Sequence, residues 1–249
     1  VCDLNVEPRN PVIGVRSFGD DPEQVAAFAA AWVRGSEGAG VATTPKHFPG
    51  HGDTPHDSHH TAFDVTADRA TLERRELAPF RAALAAGASG VMTAHIRYPA
   101  LDAGNIATLS PTILIDLLRE RLGFEGLVIT DSLDMKGVGL VEKPERVVGR
   151  AVRAGIDAVM VTSGLDRQLA AADRIASDVP GPRIVEAVRR AAVFRERFGR
   201  DVPEGDIDDV PRRALAEGIA RASITHVGPP LPSRERGLRA VALPPLSVS

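Results

Sequence analysis

The sequence predicts an α/β fold built on parallel strands, and three observations lead there. Four short runs are apolar almost throughout: residues 38–44 (GAGVATT), 90–95 (GVMTAH), 126–131 (GLVITD) and 158–163 (AVMVTS). Strands covered on both faces read this way, whereas a half-solvated strand alternates. Amphipathic helical stretches separate the runs, as in repeated strand–helix–strand units. Ionisable or hydroxyl side chains then stand at or just past the end of each run: Lys46 and His47, His95, Asp131, and Thr162 with Ser163. In any parallel α/β sheet, a (β/α)8 barrel included, ligands sit at the carboxyl ends of strands, so these residues are candidates for one site.

The helices follow from capping and periodicity. Asp21 and Pro22 open the first, whose apolar positions Val25, Phe28, Ala29 and Trp32 make a stripe that stops at Gly35. Ser110 and Pro111 open a second, with Leu114, Leu117 and Leu118 on one face and Gly123 closing it. Pro144 opens a third that carries Val147, Val148, Ala151 and Val152. Past Ser163 the pattern is helical, with a helix over 182–198 ended by Gly199. Residues 221–227 (RASITHV) read as one more strand, followed by proline-rich 228–232. This organisation predicts a domain over 1–200, then a linker and the start of a further segment over 201–249.

Composition removes several functional classes. With 249 residues, 43% apolar and 25% charged, the chain has the make-up of a folded protein with a sizeable core. A net charge of −3 without a basic block argues against nucleic acid as a partner. The single cysteine, Cys2, cannot form an internal disulfide, so the fold does not depend on an oxidising compartment. No apolar run approaches the roughly 20 residues that span a bilayer.

The densest chemistry lies in residues 46–60, KHFPGHGDTPHDSHH, which hold five of the seven histidines. Pro49, Gly50 and Gly52 exclude a helix, so this is a structured loop after a strand. A histidine tract invites a metal reading, but no pair is spaced to share a helix face as in H-E-x-x-H, and no metal is expected. The chain holds 27 arginines and three lysines, one of them Lys46 beside this loop. That placement points to a use for a compact ammonium with three donors.

KHFPGHGDTPHDSHH, with IGVRSFGDD upstream and GFEGLVITDSLDM downstream, resembles the family 3 glycoside hydrolases, in particular their bacterial β-N-acetylglucosaminidase branch. The likeness runs from about Asn10 to Asp157 and includes VMTAHI and ATLSPTIL. It implies a (β/α)8 TIM-type barrel and no cofactor. It also implies Asp131 as catalytic nucleophile, Asp57 and His59 as an acid/base dyad, and Arg16, Lys46 and His47 as sugar-binding residues. His51 and Asp53 fall in the same motif and are assigned loop-shaping roles first. The family's barrel begins well before the IG-x-R-SF motif, so the resemblance predicts a barrel lacking its first strands in this chain, with VCDLNVEP ending a third strand. SITHVGPPLP resembles the entry to a second domain.

The chemistry is coherent on its own terms. A retaining glycosidase needs a carboxylate to attack the anomeric carbon and a proton donor for the departing oxygen. A histidine whose other ring nitrogen is held by Asp57 would serve as that donor near its unperturbed pKa of about 6.5. The expected activity is removal of terminal β-N-acetylglucosamine from peptidoglycan or chitin-type oligosaccharides, in a bacterial cytoplasm as part of wall recycling, or outside the cell for an exported parent. Three other readings stand: a β-glucosidase or β-xylosidase of the same family, a non-catalytic sugar-binding fragment, and a metallohydrolase.

Overall fold

The computed structural model describes residues 1–54, 64–135, 138–139, 144–199 and 209–222. By contact the chain divides into one unit over Val1–Asp201 and another over Val202–Ser249.

In the first unit, helix α1 (Pro22–Gly38) opens with the Asp21 carboxylate accepting the amides of Glu23 and Gln24, the capping that the sequence predicts. The helix runs past Gly35 to Gly38, and Gly40 at φ +79° turns the chain away. Its buried stripe is Val25, Ala29 and Val33, while Phe28 and Trp32 are 50% and 66% exposed. The small residues are the ones turned inward toward helix α2 (Leu77–Ala85), and this corrects the stripe assigned above. Phe28 stacks on Phe18 with ring centroids 5.4 Å apart.

Strand β1 (Gly90–Thr93) leads to a small hairpin of β2 (Arg97–Tyr98) and β3 (Asp102–Ile106). Helix α3 (Thr112–Arg121), π-wound, buries Ile113, Leu114, Leu117 and Leu118 and is followed by Gly123 at φ +67°. Then come β4 (Leu127–Ser132), α4 (Pro144–Ala154), β5 (Ala158–Met160), α5 (Leu165–Asp178) and α6 (Gly181–Phe198). Strands β1, β4 and β5 form a parallel sheet in that order, with Thr93 opposite Thr130 at its carboxyl end. Val147, Val148, Ala151 and Val152 of α4 are all buried, as their spacing predicts.

The first expected strand, 38–44, does not form as a regular element. Hydrogen bonding to β1 begins only at the end of that run and continues past it: the Gly90 amide donates to Thr43 O (2.9 Å), Met92 to Pro45 O (3.0 Å), and Phe48 to Met92 O (2.8 Å). Pro45 has no N–H to offer, which leaves the ladder incomplete there. The opening segment is likewise no regular strand, although the Cys2 amide donates to Lys46 O at 2.8 Å. β5 stops at Met160 rather than Ser163 because the Asp134 carboxylate takes the amides of Thr162 (2.7 Å) and Ser163 (2.8 Å). The described part of the second unit is one helix, α7 (Asp209–Ala222). Arg221 and Ala222 therefore end a helix instead of starting a strand, and residues 223–227 lie outside the described residues. No helix among those described is long and apolar enough to cross a membrane.

Candidate active site

The carboxyl ends of β1 and β4 and the loop beside β1 converge on a cavity of about 150 Å³, while Thr162 and Ser163 beyond β5 do not line it. Asp131 enters it from the end of β4, Lys46, His47 and His51 from the loop beside β1, and Arg16 from a short turn, Gly14–Arg16. The structure thus brings together Asp131, Arg16, Lys46 and His47, distant in sequence and singled out as site residues. Asp57 and His59 lie outside the described residues. A larger cavity of about 630 Å³ lies at the opposite, amino ends of β1 and β4, against Phe124 and Phe194. It holds none of the strand-end residues, so chemistry rather than volume identifies the site.

The arrangement is built on Asp3, which sequence reasoning passed over. This carboxylate is completely buried and accepts the backbone amides of His47 (2.9 Å) and His51 (2.8 Å). It also accepts the His47 ring Nδ1–H at 2.8 Å. Burial alone pushes its pKa up, but the charge and hydrogen bonds of His47, helped by the charge of His51, outweigh burial and hold it at about 2. With Nδ1 committed to Asp3, His47 Nε2 faces Asp131 Oδ2 at 3.5 Å. The Asp131 side chain stays 25% accessible, so it is both buttressed and open to the cavity.

The loop bearing His47 and His51 is clamped on all sides. Tyr98 donates its hydroxyl to Gly50 O at 2.6 Å, and Asn10 donates to His51 O at 2.9 Å. Asp53 forms an ion pair with Arg75, which donates from Nε to Glu76 Oε1 at 2.6 Å. Two glycines are there for space: a Cβ on Gly52 would lie 1.4 Å from Leu4 O, and one on Gly50 would lie 2.8 Å from Glu76 Oε2. Glu76 Oε2 is buried with no hydrogen-bond partner among the described residues, and burial pushes this carboxyl up to about 7 despite the Arg75 charge.

On the far side, His95 follows β1 and lines the cavity. Burial pushes its pKa down to about 4 against the pull of Asp131. Asp134, just beyond β4, accepts from the amides and hydroxyls of Thr162 and Ser163, tying the ends of β4 and β5 together. Among the described residues no cluster of three His, Cys, Asp or Glu side chains could hold a metal ion.

Such a site can bind a small polyhydroxylated ring. Arg16 and Lys46 supply donors at its walls, and Asp131 presents an accessible carboxylate to the cavity. Its volume falls below the roughly 300–1,000 Å³ of pockets for drug-sized ligands, which suits a single ring over an extended chain.

Comparison with known proteins agrees with this picture. The profile of the glycosyl hydrolase family 3 N terminal domain matches residues 1–193. The beta-hexosaminidase A of Pseudoalteromonas piscicida is 40% identical over 171 residues, 64% of this chain and 29% of that protein. A beta-N-acetylglucosaminidase/beta-glucosidase of Cellulomonas fimi is 33% identical over 247 residues, 91% of this chain and 44% of that protein. Among solved structures, a glycoside hydrolase family 3 beta-N-acetylglucosaminidase from Paenibacillus superposes with a TM-score of 0.82 at 40% identity, over 89% of this chain and 45% of that one. The chain thus spans less than half the length of these relatives. The family's N-terminal domain is a barrel of the TIM type, and the parallel sheet here is a part of that architecture. With the family profile matched through residue 193, at the cavity and in the strands that build it, the chain belongs to glycosyl hydrolase family 3.

Proposed function

We propose that this chain carries the catalytic site of a retaining β-N-acetylhexosaminidase acting on terminal β-N-acetylglucosamine of peptidoglycan or chitin-type oligosaccharides. The observation that supports it most is Asp131, accessible in a sugar-sized cavity at a strand end and flanked by the Asp3-held imidazole of His47.

In this reading an Asp131 oxygen bonds to the anomeric carbon as the glycosidic bond breaks. The departing oxygen takes a proton from His59, whose ring Asp57 supports. His59 then removes a proton from water, the water oxygen bonds to the same carbon, and the bond to Asp131 breaks. The net configuration is retained. Arg16, Lys46 and His47 hold the ring so that the anomeric carbon meets Asp131.

The test is release of 4-nitrophenol from the β-N-acetylglucosaminide and the β-glucoside by the intact chain and by Asp131→Asn. The reading expects preference for the acetamido sugar and at least a 10³-fold loss in the variant, on the order found when one covalent catalytic group is removed. Turnover untouched by Asp131→Asn would refute it. A second reading, β-glucosidase of the same family, draws on the double name of the Cellulomonas relative. Preference for the β-glucoside would select it. Repeating the assay in phosphate and analysing the sugar product separates water from phosphate as the acceptor.

A further inference from the structure

The interior beside Asp131 contains a hydrogen-bonded line whose proton positions follow from the chemistry of its members. His95 Nε2 lies 3.1 Å from Ser132 O, the carbonyl next along the chain from Asp131. A carbonyl only accepts, so Nε2 carries a hydrogen. At the other side of the ring, Nδ1 lies 2.7 Å from Thr108 Oγ1, and Thr108 Oγ1 lies 2.8 Å from Thr93 Oγ1. All three side chains are buried. Burial disfavours a second proton on the ring, so Nδ1, lacking a hydrogen, accepts from the Thr108 hydroxyl at the shorter of that hydroxyl's two acceptor contacts (2.7 Å, against 3.1 Å to Ala94 O), and Thr108 accepts from Thr93.

The line begins where the sheet ladder ends. The last β1–β4 partners are Thr93 and Thr130, and Asp131 lies one residue beyond them. Asp131 Oδ1 accepts the Ser132 amide at 2.7 Å, so residue Ser132 meets the carboxylate through its N–H and His95 through its carbonyl, on either side of its Cα. The charged or titratable groups facing His95 are Asp131 from β4 and His47 from the loop.

We propose that His95 is a positioning residue for the nucleophile: its Nε2–H, directed by Thr108, holds the Ser132 carbonyl and thereby sets the aim of the Asp131 carboxylate. This inference rests on the reading of Asp131 given above. A carboxylate displaced by about 1 Å from its reacting carbon loses on the order of 10²-fold in rate while binding survives. His95 therefore acts on turnover and leaves affinity alone.

Two experiments on the intact chain test this. Imidazole nitrogen spectra between pH 5 and 8 are expected to show His95 as one unchanging tautomer with hydrogen on Nε2. Hydrogen on Nδ1, or titration within that range, overturns the proposal whether or not the chain turns over substrate. The second is steady-state kinetics of His95→Gln, His95→Asn, His95→Leu and Thr108→Val beside Asp131→Asn. Gln sets its amide donor near the place of Nε2 and is expected to stay within about tenfold of wild type. Asn, which mimics Nδ1, and Leu lose on the order of 10²-fold in kcat at unchanged KM. Thr108→Val, which keeps the volume and removes the director of the tautomer, falls between them.

Equal losses in Gln, Asn and Leu that track a fall in melting temperature would mean a packing role only and overturn the inference. Unchanged kcat in the Asn, Leu and Val variants with a dead Asp131→Asn would overturn it alone. An active Asp131→Asn would remove this inference together with the reading beneath it.

Discussion

Two buried carboxylates behind the loop bearing His47 and His51 act in opposite directions on stability. Asp3 is held at about 2 in the fold, below the ordinary 3.8. Its stabilisation is complete above pH 4 and fades as pH falls toward 2, a difference of about 2 kcal/mol. Glu76 is raised to about 7 from 4.5, so the fold holds its proton more tightly than the unfolded chain does. Its contribution is complete below about pH 4 and is lost as pH rises through 7, by about 3 kcal/mol. Urea unfolding at pH 5 and pH 8 measures this: Glu76→Gln should narrow the alkaline loss seen in wild type, and an unchanged pH difference would contradict the assignment. Asp3→Asn should retain an oxygen for the two amides but turn an amide N–H toward His47 Nδ1, forcing the other tautomer. We expect kcat to fall on the order of 10²-fold, and a variant as active as wild type would show that the Asp3–His47 pair is idle. Neither carboxylate was legible in the sequence. Asp3 stands alone in an apolar segment 44 residues from His47, and its role exists only once Cys2 pairs with Lys46. By contrast Lys46, His47 and Asp131 could be read directly, because each stands at or just past the end of an apolar run, although only the run ending at Asp131 becomes a regular strand.

Strands and helices were legible where one local rule dominated. α4 shows its expected buried residues because nothing competes with the pattern, whereas β4 forms where expected but buries only Val128 and Thr130 and leaves Leu127 and Ile129 half-buried. The segment beside β1 and the end of β5 diverge because Pro45 and Asp134 rewrite the backbone hydrogen bonding. α1 diverges because its large aromatics face outward and its small residues pack inward, a choice set by tertiary fit. Trp32, the only tryptophan in the sequence, reports on that choice. Its emission should be red-shifted and readily quenched by acrylamide, whereas a blue-shifted, protected signal would mean that this face is covered. At the amino end of β5 the fully buried Asp157 carboxylate takes Arg119, Arg183 and Arg190, joining α3 and α6 to the sheet. Asp157→Ala leaves three arginines without that partner and should destabilise by about 3–5 kcal/mol, measured by denaturant unfolding. A loss under 1 kcal/mol would show that the arginines find other partners.

The molecule assembles its chemistry from positions 3 to 131 by running parallel segments side by side, so that the carboxyl ends of β1 and β4 and the loop beside β1 meet at one cavity. That logic was visible in the order of apolar runs and polar ends; the closing of the loop around Asp3 was not. Catalysis by a covalent route is the step on which the account stands. The most direct measurement is intact-mass and peptide mapping after exposing the chain to a fluorinated β-N-acetylglucosaminide with an activated leaving group. The account predicts one glycosyl adduct per chain, mapped to Asp131 and absent from Asp131→Asn. An adduct on another residue, or one that forms unchanged in Asp131→Asn, would contradict it.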